Sequence, residues 1–322
     1  MTVNDQLTDL EQSPWPLITA MGSFIPENRI SNVTLGERFG KDRDFIERKL
    51  GFTARAVKPA SMKTSDMCVR AFEKLEQKHP LDRAQIDLLA VVTQNPDQKI
   101  PHVSAIVHHK LGLSRHCATF DISQGCAGYA VGLAAVNGWM TTLGTKNAVL
   151  LTCDPYSEIV DQNDPATAMV FGDAATATLV SREGDRGYRL RDALFGTLPD
   201  SFNCLTCEDR FFMDGRQVSM NVMNCVPAAI ETILLRNGLG LQDLSQIIFH
   251  QASLYVVDAL RSKLNIGSDM APFAAASIGN SVSSSIPLLL EQVMASHQKR
   301  ILICGFGIGF SWSVAILERV ER

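Results

Sequence analysis

The sequence predicts an α/β fold that is built from two similar halves. Apolar runs of strand length alternate with segments of helical periodicity along most of the 322 residues. The same order of units occurs once in each half: a buried strand and helix, a strand–turn–helix unit, and a pair of strands. We therefore predict an internal duplication, with a disordered tail at residues 1–16, a first half at 17–182 and a second half at 183–322.

The first half contains these units in order. The run "IDLLAVVTQ" (Ile86 to Gln94) predicts a buried strand, and "PHVSAIVHHKLGL" after it predicts a helix. The segment "CATFDISQGCAGYAVGLAAV" predicts a strand, a tight turn and a helix. The runs "KNAVLLTCD" and "ATATLV" predict the two strands that close the half.

The second half repeats the pattern. The run "LSQIIFHQA" predicts a buried strand, and "SLYVVDALRSKLNI" predicts the helix that follows. The segment "APFAAASIGNSVSSSIPLLLEQV" has the strand–turn–helix layout, and "KRILICGFGIGFSWSVAIL" predicts the closing pair of strands. In this alignment Cys126 corresponds to Asn280, and both follow a glycine at a strand-to-helix turn. Two equivalent turns that meet across a pseudo-twofold axis would place both residues in one central cleft, together with His250.

Composition and charge exclude several classes of function. A net charge of −4 and a pI near 6.0 give no electrostatic basis for binding nucleic acid or an anionic membrane. No apolar stretch is expected to reach the roughly 18 residues of a membrane span, and the polar, acidic start is unlike a signal peptide. We therefore expect a cytoplasmic protein.

The eight cysteines are scattered through a long chain, which favours reduced thiols over a disulfide framework. Cys204 and Cys207 form a lone "CLTC" motif. A zinc site would need two further ligands, and no second pair follows, so a loop is favoured over a metal or redox site. We expect no bound metal.

Cys126 has the position of a nucleophile. It lies where an apolar run becomes a helix, beside free backbone N–H groups and the positive end of the helix dipole. Both features predict a lowered pKa and a reactive thiolate. Gly125 and Gly128 would allow a sharp turn and close approach of a substrate. The alternative is that Cys126 is a small buried apolar residue, as most cysteines are.

His250 and Asn280 are candidate partners of this cysteine. His250 ends the apolar run "QIIF", where α/β proteins bind ligands, although a core histidine bonded to backbone would also fit. Asn280 could equally be a simple turn residue. In "GFGIGF", backbone N–H groups around Gly307 could point into the site as oxyanion donors. The other histidines are predicted at the surface: His79, His102, His108, His109, His116 and His297.

Taken together, the motifs resemble the ketoacyl-acyl-carrier-protein synthase III family of the thiolase superfamily. The matching segments are "SQGCAGYAVGL", "FGDAATA", "HQAS", "IGNSVSSSIP" and "GFGIGFSW", in the order of the family. The resemblance covers roughly residues 17–322. It implies a thiolase-like five-layer αβαβα fold of two duplicated halves, an obligate homodimer and a Cys–His–Asn set, here Cys126, His250 and Asn280.

The family chemistry can be transferred to these positions. Cys126 would take an acyl group from acyl-CoA, with the backbone N–H groups of Cys126 and Ile308 as the oxyanion hole. A malonyl thioester, carried on acyl carrier protein, would then lose CO2. His250 and Asn280 would donate hydrogen bonds to its enolate. The resemblance implies no cofactor besides the acyl-CoA substrate.

The expected substrate-binding residues depart from the family pattern. Phe45 replaces the tryptophan that stacks on the CoA adenine, and Lys49 replaces a phosphate-binding arginine. Ser253 stands where an asparagine binds pantetheine, and Tyr255 where a basic residue docks the carrier protein. By position, Ile100 would reach across the dimer into the acyl pocket of the partner, and Gly307 would contact the substrate.

Three alternative functions compete with a decarboxylating condensing enzyme. A non-decarboxylating acyltransferase would pass the acyl group from Cys126 to an amine or a hydroxyl. A cysteine-type α/β-hydrolase would need glycine where this chain has Gln124. A non-catalytic partner subunit would be expected to lack the nucleophile or its partners, whereas all three residues are present.

Overall fold

The computed structural model describes residues 15–296 and 298–321. The part of the expected tail up to residue 14 lies outside the described residues, and so does His297.

The described chain forms strands and helices in alternation. The strands are β1 (Leu17–Phe24), β2 (Arg29–Ser31), β3 (Ala54–Ala56), β4 (Leu88–Val92), β5 (Ala118–Ile122), β6 (Asn147–Cys153), β7 (Ala175–Ser181), β8 (Arg186–Thr197), β9 (Leu205–Cys207), β10 (Phe211–Met213), β11 (Gln246–Phe249), β12 (Arg300–Gly307) and β13 (Ser311–Glu321). The helices are α1 (Asn32–Arg38), α2 (Thr64–Lys78), α3 (Val103–Leu111), α4 (Gly128–Leu143), α5 (Gly215–Arg236), α6 (Leu254–Leu264) and α7 (Ser285–Met294).

One sheet runs through the molecule in the order β11-β12-β13-β8-β1-β7-β6-β4-β5. Its two sides have the same topology, because β1, β4, β6 and β7 of the first half are matched by β8, β11, β12 and β13 of the second. Within the described residues, the strands of the two sides pair with each other at β1 and β8, through Leu17–Arg189 and Ile18–Tyr188. The duplication predicted from the sequence is therefore visible in the order of the strands.

Helices cover both sides of each half-sheet and give five layers. Helices α2 and α3 pack on the outer face of the first half, and α5 packs on the outer face of the second, where α6 joins it. Between the half-sheets lie α4, which contacts β4, β6, β12 and β13, and α7, which contacts β1, β7, β11 and β12. The predicted αβαβα architecture is confirmed.

The segment that was predicted as a strand before Asn280 is not a strand. Pro272 has no N–H to donate to a ladder, and neighbouring groups take other partners. The Ala274 N–H donates to the Gln251 side chain at 2.8 Å. The Ala276 carbonyl accepts from the Thr53 N–H at 2.8 Å. The second half therefore has four strands where the first has five.

Helix α5 corrects a second expectation. Its 22 residues are long and apolar enough to cross a membrane by length and composition, so the prediction that no stretch reaches that length is wrong. One face of the helix is buried, with Val222, Val226, Ile230 and Ile233 packed toward β12 and β13. It occupies the place of a surface-layer helix of an α/β fold.

Candidate active site

Four chain segments that follow strands, or the place expected for a strand, meet at one point. Cys126 lies between β5 and α4, and His250 directly follows β11. Asn280 lies five positions before the first residue of α7, and Ile308 directly follows β12. Cys126 and Asn280 come shortly before α4 and α7, the two central helices. Both helices therefore direct their N-terminal ends toward the site.

Glycine is required where β12 meets the nucleophile. A Cβ atom on Gly307 would lie 2.9 Å from the Cys126 Sγ atom and 3.0 Å from its Cβ atom. A Cβ atom on Gly305 would lie 2.4 Å from the Cys126 carbonyl oxygen. The hydroxyl of Ser313 donates to the Ala127 carbonyl at 2.9 Å and ties β13 to the same turn. The strand end and the nucleophile turn are thus in direct contact.

The Asn280 turn reaches the same place from the other half. The Asn280 N–H donates to the Val170 carbonyl at 2.9 Å, and the Gly172 N–H donates to the Asn280 carbonyl at 3.0 Å. The side-chain Oδ1 accepts from the Val282 N–H at 2.9 Å, so Nδ2 is the end left to donate to a substrate. A Cβ atom on Gly125 would lie 3.4 Å from the Val282 side chain, which places the two turns against each other.

His250 is held on several sides. Its backbone N–H donates to the Cys304 carbonyl at 2.8 Å. Its ring packs edge-on against Phe306, with 5.5 Å between the ring centroids. Nδ1 is 2.6 Å from the Ser285 Oγ atom. When the hydroxyl donates to Nδ1, the ring proton lies on Nε2, and this tautomer can donate a hydrogen bond to a bound carbonyl.

Burial sets the protonation states at this site. Burial raises the pKa of the Cys126 thiol, and the charge on Asp154 adds to the rise. The expectation of a lowered pKa is therefore wrong, because desolvation outweighs the helix terminus. Burial lowers the pKa of His250 to about 3, although the Val282 backbone acts in the opposite direction and raises it. The site thus contains a protonated thiol and a neutral imidazole at neutral pH.

Sequence reasoning missed a buried polar network behind the site. Asp154 is fully buried, and its carboxylate accepts from the Gln94 N–H at 2.6 Å and from the hydroxyl of Ser283. The Ser284 hydroxyl is 2.8 Å from that of Thr152. Two features of the sequence point to this network: an aspartate directly after the apolar run "AVLLTC", and three serines in a row before an apolar helix.

An aromatic cluster lies beside the cysteine. The rings of Tyr156, Phe171 and Phe211 have centroids 5.0–5.1 Å apart, and all three belong to the same apolar core as Cys126. The Tyr156 hydroxyl donates to Gln94 Oε1 at 3.0 Å.

The other predicted binding residues lie farther out. Phe45 and Lys49 lie on a π-helical turn (Phe45–Leu50) that packs on α6. The Phe45 ring is half-buried, with the Lys41 ammonium 5.0 Å from its centroid, and Lys49 is exposed. Ser253 is the N-cap of α6 and accepts from the Val256 N–H at 3.3 Å.

Ile100 does not reach the site of its own chain. It lies on the loop between β4 and α3, and its side chain is 85% exposed. The role predicted for it depends on a second copy of the chain. It stays a prediction.

The lone Cys–x–x–Cys motif shows no metal geometry. Cys204 is buried and Cys207 is exposed. Among residues 15–296 and 298–321, no group of three histidine, cysteine, aspartate or glutamate residues could hold a metal ion. All eight cysteines lie in this part of the chain, and each is a free thiol.

Comparison with known proteins places the chain in a family. The model of 3-oxoacyl-[acyl-carrier-protein (ACP)] synthase III matches residues 120–199, and the model of its C-terminal part matches residues 234–319. The beta-ketoacyl-[acyl-carrier-protein] synthase III of Neisseria meningitidis serogroup B is 28% identical over 314 residues, which cover 94% of this chain and 98% of that one.

Solved structures agree with the family match. The Thermus thermophilus beta-ketoacyl-[acyl-carrier-protein] synthase III has a TM-score of 0.86 at 26% identity, covering 94% of this chain and 98% of that chain. A priming beta-ketosynthase of the R1128 polyketide pathway shares the fold, with a TM-score of 0.87 at 23% identity over 96% and 97% of the two chains. The chain therefore belongs to the 3-oxoacyl-[acyl-carrier-protein] synthase III family, the acyltransferases of the thiolase fold that act as condensing enzymes.

Proposed function

We propose that this enzyme transfers an acyl group from acyl-CoA to Cys126 and then condenses it with a malonyl thioester with loss of CO2. The observation that carries the proposal is the convergence of Cys126, Ile308, His250 and Asn280 on one point, from both halves of the fold. In the first half-reaction the Cys126 Sγ atom attacks the thioester carbonyl. The backbone N–H groups of Cys126 and Ile308 stabilise the oxyanion. CoA leaves and takes up the thiol proton.

In the second half-reaction the malonyl carboxylate leaves as CO2, and its bonding electrons form an enolate. Nε2 of His250 and Nδ2 of Asn280 donate to the enolate oxygen, where charge develops only near the transition state. The carbanion attacks the acyl-cysteine, the C–S bond to Cys126 breaks, and the released thiolate takes up a proton from water. Every electron pair is accounted for by protein and substrates, so we propose no further cofactor.

We propose a short acyl group. The packing of Tyr156, Phe171 and Phe211 in the same apolar core as Cys126 supports this. One methylene more or less in an apolar pocket changes selectivity by about 1–3 kcal/mol. CoA would approach between the Phe45–Leu50 turn and α6. The malonyl group would be carried on acyl carrier protein, as the names of the relatives suggest. The exposed Tyr255 gives that partner an apolar contact where a basic one was expected.

We also propose a homodimer in the cytoplasm. The edge strand β5 is only half-buried along its whole length, and it carries Phe120 and Ile122. An unpaired, partly apolar edge is a site for pairing with another chain. The exposed Ile100 would then enter the site of the partner.

The test is the intact mass of the protein after incubation with acetyl-, butyryl- and octanoyl-CoA, followed by malonyl thioester and measurement of CO2. We expect one acyl adduct per chain, which Cys126→Ala abolishes. The matched control is Cys207→Ala, which removes the exposed thiol and should keep the adduct. An adduct on Cys126→Ala would contradict the assignment. Acyl transfer to an amine without CO2 release would favour the non-decarboxylating alternative.

A further inference from the structure

Asp154 is a buried carboxylate that the proposed mechanism does not use. It directly follows β6 and has no exposed surface. The groups that bind it are the Gln94 N–H at 2.6 Å, the Ser283 N–H at 3.4 Å and the Ser283 hydroxyl. In the described part of the chain, no cation forms an ion pair with it. Burying an uncompensated charge is costly, and such groups cluster at functional sites.

The turn that Asp154 binds is backbone-strained. Val282 has a φ of 52°, in the left-handed region that a β-branched residue rarely adopts. Such a conformation persists only where the surrounding contacts enforce it. Three consecutive serines supply those contacts: Ser283 to Asp154, Ser284 to Thr152 and Ser285 to His250.

The same turn supports both groups assigned to the second half-reaction. The Val282 N–H donates to the side-chain amide oxygen of Asn280 at 2.9 Å, and the Ser285 Oγ atom lies 2.6 Å from His250 Nδ1. Cys126 has further contacts that the turn does not supply, with Gly305 and Gly307 at the end of β12. A shift of this turn would therefore move the enolate-binding groups more than the nucleophile.

We infer that Asp154 is a positioning residue for condensation: through Ser283 its carboxylate holds the turn that presents Asn280 and backs His250. This inference rests on the proposed function and deepens it. Asp154 touches neither substrate nor reacting atoms, and it acts through the turn.

The protonation state of Asp154 provides a readout. Burial raises the pKa of Asp154 to about 6, although the hydrogen bonds from Ser283 and Gln94 act in the opposite direction and lower it. The titratable groups that face it are the thiols of Cys126 and Cys153 and the phenol of Tyr156, which all stay neutral near pH 7. The turn should lose its charge-assisted hydrogen bonds as pH falls below about 6.

The experiment compares the full-length enzyme with Asp154→Asn, Ser283→Ala and the double variant. For CO2 release from malonyl thioester at pH 8, we expect kcat to fall about tenfold or more in each single variant, with KM little changed. Acylation of Cys126 should stay within about threefold of wild type. The double variant should lose little more than either single variant, because both remove one interaction. Asp154→Asn should also lack the decline of the wild-type rate near pH 6.

The control is Ser104→Ala on helix α3, which removes another fully buried serine hydroxyl that bonds neither Asp154 nor the turn and should leave both rates unchanged. Unchanged CO2 release, equal losses in both half-reactions, or an acid limb retained by Asp154→Asn would overturn the inference. If Asp154→Asn does not fold, Ser283→Ala alone tests the inference: its CO2 release should fall while its acylation of Cys126 is kept. A wild-type enzyme that forms no acyl-Cys126 would instead refute the proposed function.

Discussion

The contact between Gly307 and Cys126 predicts that a single methyl group disables the nucleophile. In Gly307→Ala the new Cβ atom would lie 2.9 Å from the Cys126 Sγ atom and 3.0 Å from its Cβ atom. Favourable contacts between such atoms begin at about 3.5 Å. Either the sulfur or the strand end must therefore move by about 0.6 Å or more.

A displacement of this size has a calculable effect on rate. A misplacement of about 1 Å lowers the rate of a well-oriented reaction by about 100-fold. We therefore expect the acylation rate of Gly307→Ala to fall by about 10- to 100-fold. The assay is a time course of intact mass with saturating acetyl-CoA, combined with thermal unfolding to show that the variant is folded.

Gly138→Ala is the matched control for this substitution. Gly138 lies in α4, the helix that follows the nucleophile, and a Cβ atom there meets nothing within 4 Å. Alanine in a helix interior is favoured over glycine by roughly 0.5–1 kcal/mol, so this variant should be slightly more stable and fully active. An acylation rate of Gly307→Ala within about threefold of wild type would refute the steric reasoning.

Three other predictions follow from the site. His250→Ala should keep Cys126 acylation but lower CO2 release by about 100-fold or more, because it removes an enolate donor; normal CO2 release in a radiometric assay would exclude the role. Ile100→Trp should slow acylation by octanoyl-CoA far more than by acetyl-CoA, and Ile100→Ala should relax the limit; equal effects on both, or a monomer in light scattering, would contradict the dimer model. Asp154→Asn should remove a pH dependence of unfolding in urea. The folded-state pKa of about 6 against 3.8 means that ionising the buried carboxyl costs about 3 kcal/mol above pH 6. That cost disappears in wild type as pH falls from 6 toward 4, so the free energy of unfolding of wild type should rise over this range relative to that of Asp154→Asn; an unchanged difference would contradict the reasoning.

The sequence predicted the fold because its strong patterns are local. Buried strands such as β4, β6 and β12 are continuous apolar runs, and the glycines around Cys126 mark the turn between a strand and a helix. His250 was found because it ends an apolar strand, a position that depends only on neighbours in the chain. The duplicated order of the units then brought it together with Cys126 and Asn280.

The sequence failed where the outcome depends on contacts between distant segments. The strand expected before Asn280 is absent because Pro272 lacks an N–H, and the groups of Ala274 and Ala276 bond to Gln251 and Thr53 instead of a ladder. The lowered pKa expected for Cys126 is reversed by burial and by Asp154. Asp154 itself binds donors more than 50 positions away in both directions. None of these contacts leaves a periodic pattern in the sequence.

The two halves of the site are held by different kinds of force, and this difference should separate their responses. The nucleophile turn is fixed by close contact with Gly305 and Gly307, where the lack of a side chain is what matters. The Asn280 turn is fixed by buried hydrogen bonds to a carboxylate and to hydroxyl groups. Added side-chain volume at Gly305 or Gly307 should therefore impair acylation. Protonation of the buried carboxylate, or loss of a hydroxyl group that binds the Asn280 turn, should impair condensation. Each half-reaction therefore depends on contacts between the two halves: Gly305 and Gly307 of the second half hold Cys126 of the first, and Asp154 of the first half holds the turn of Asn280 in the second.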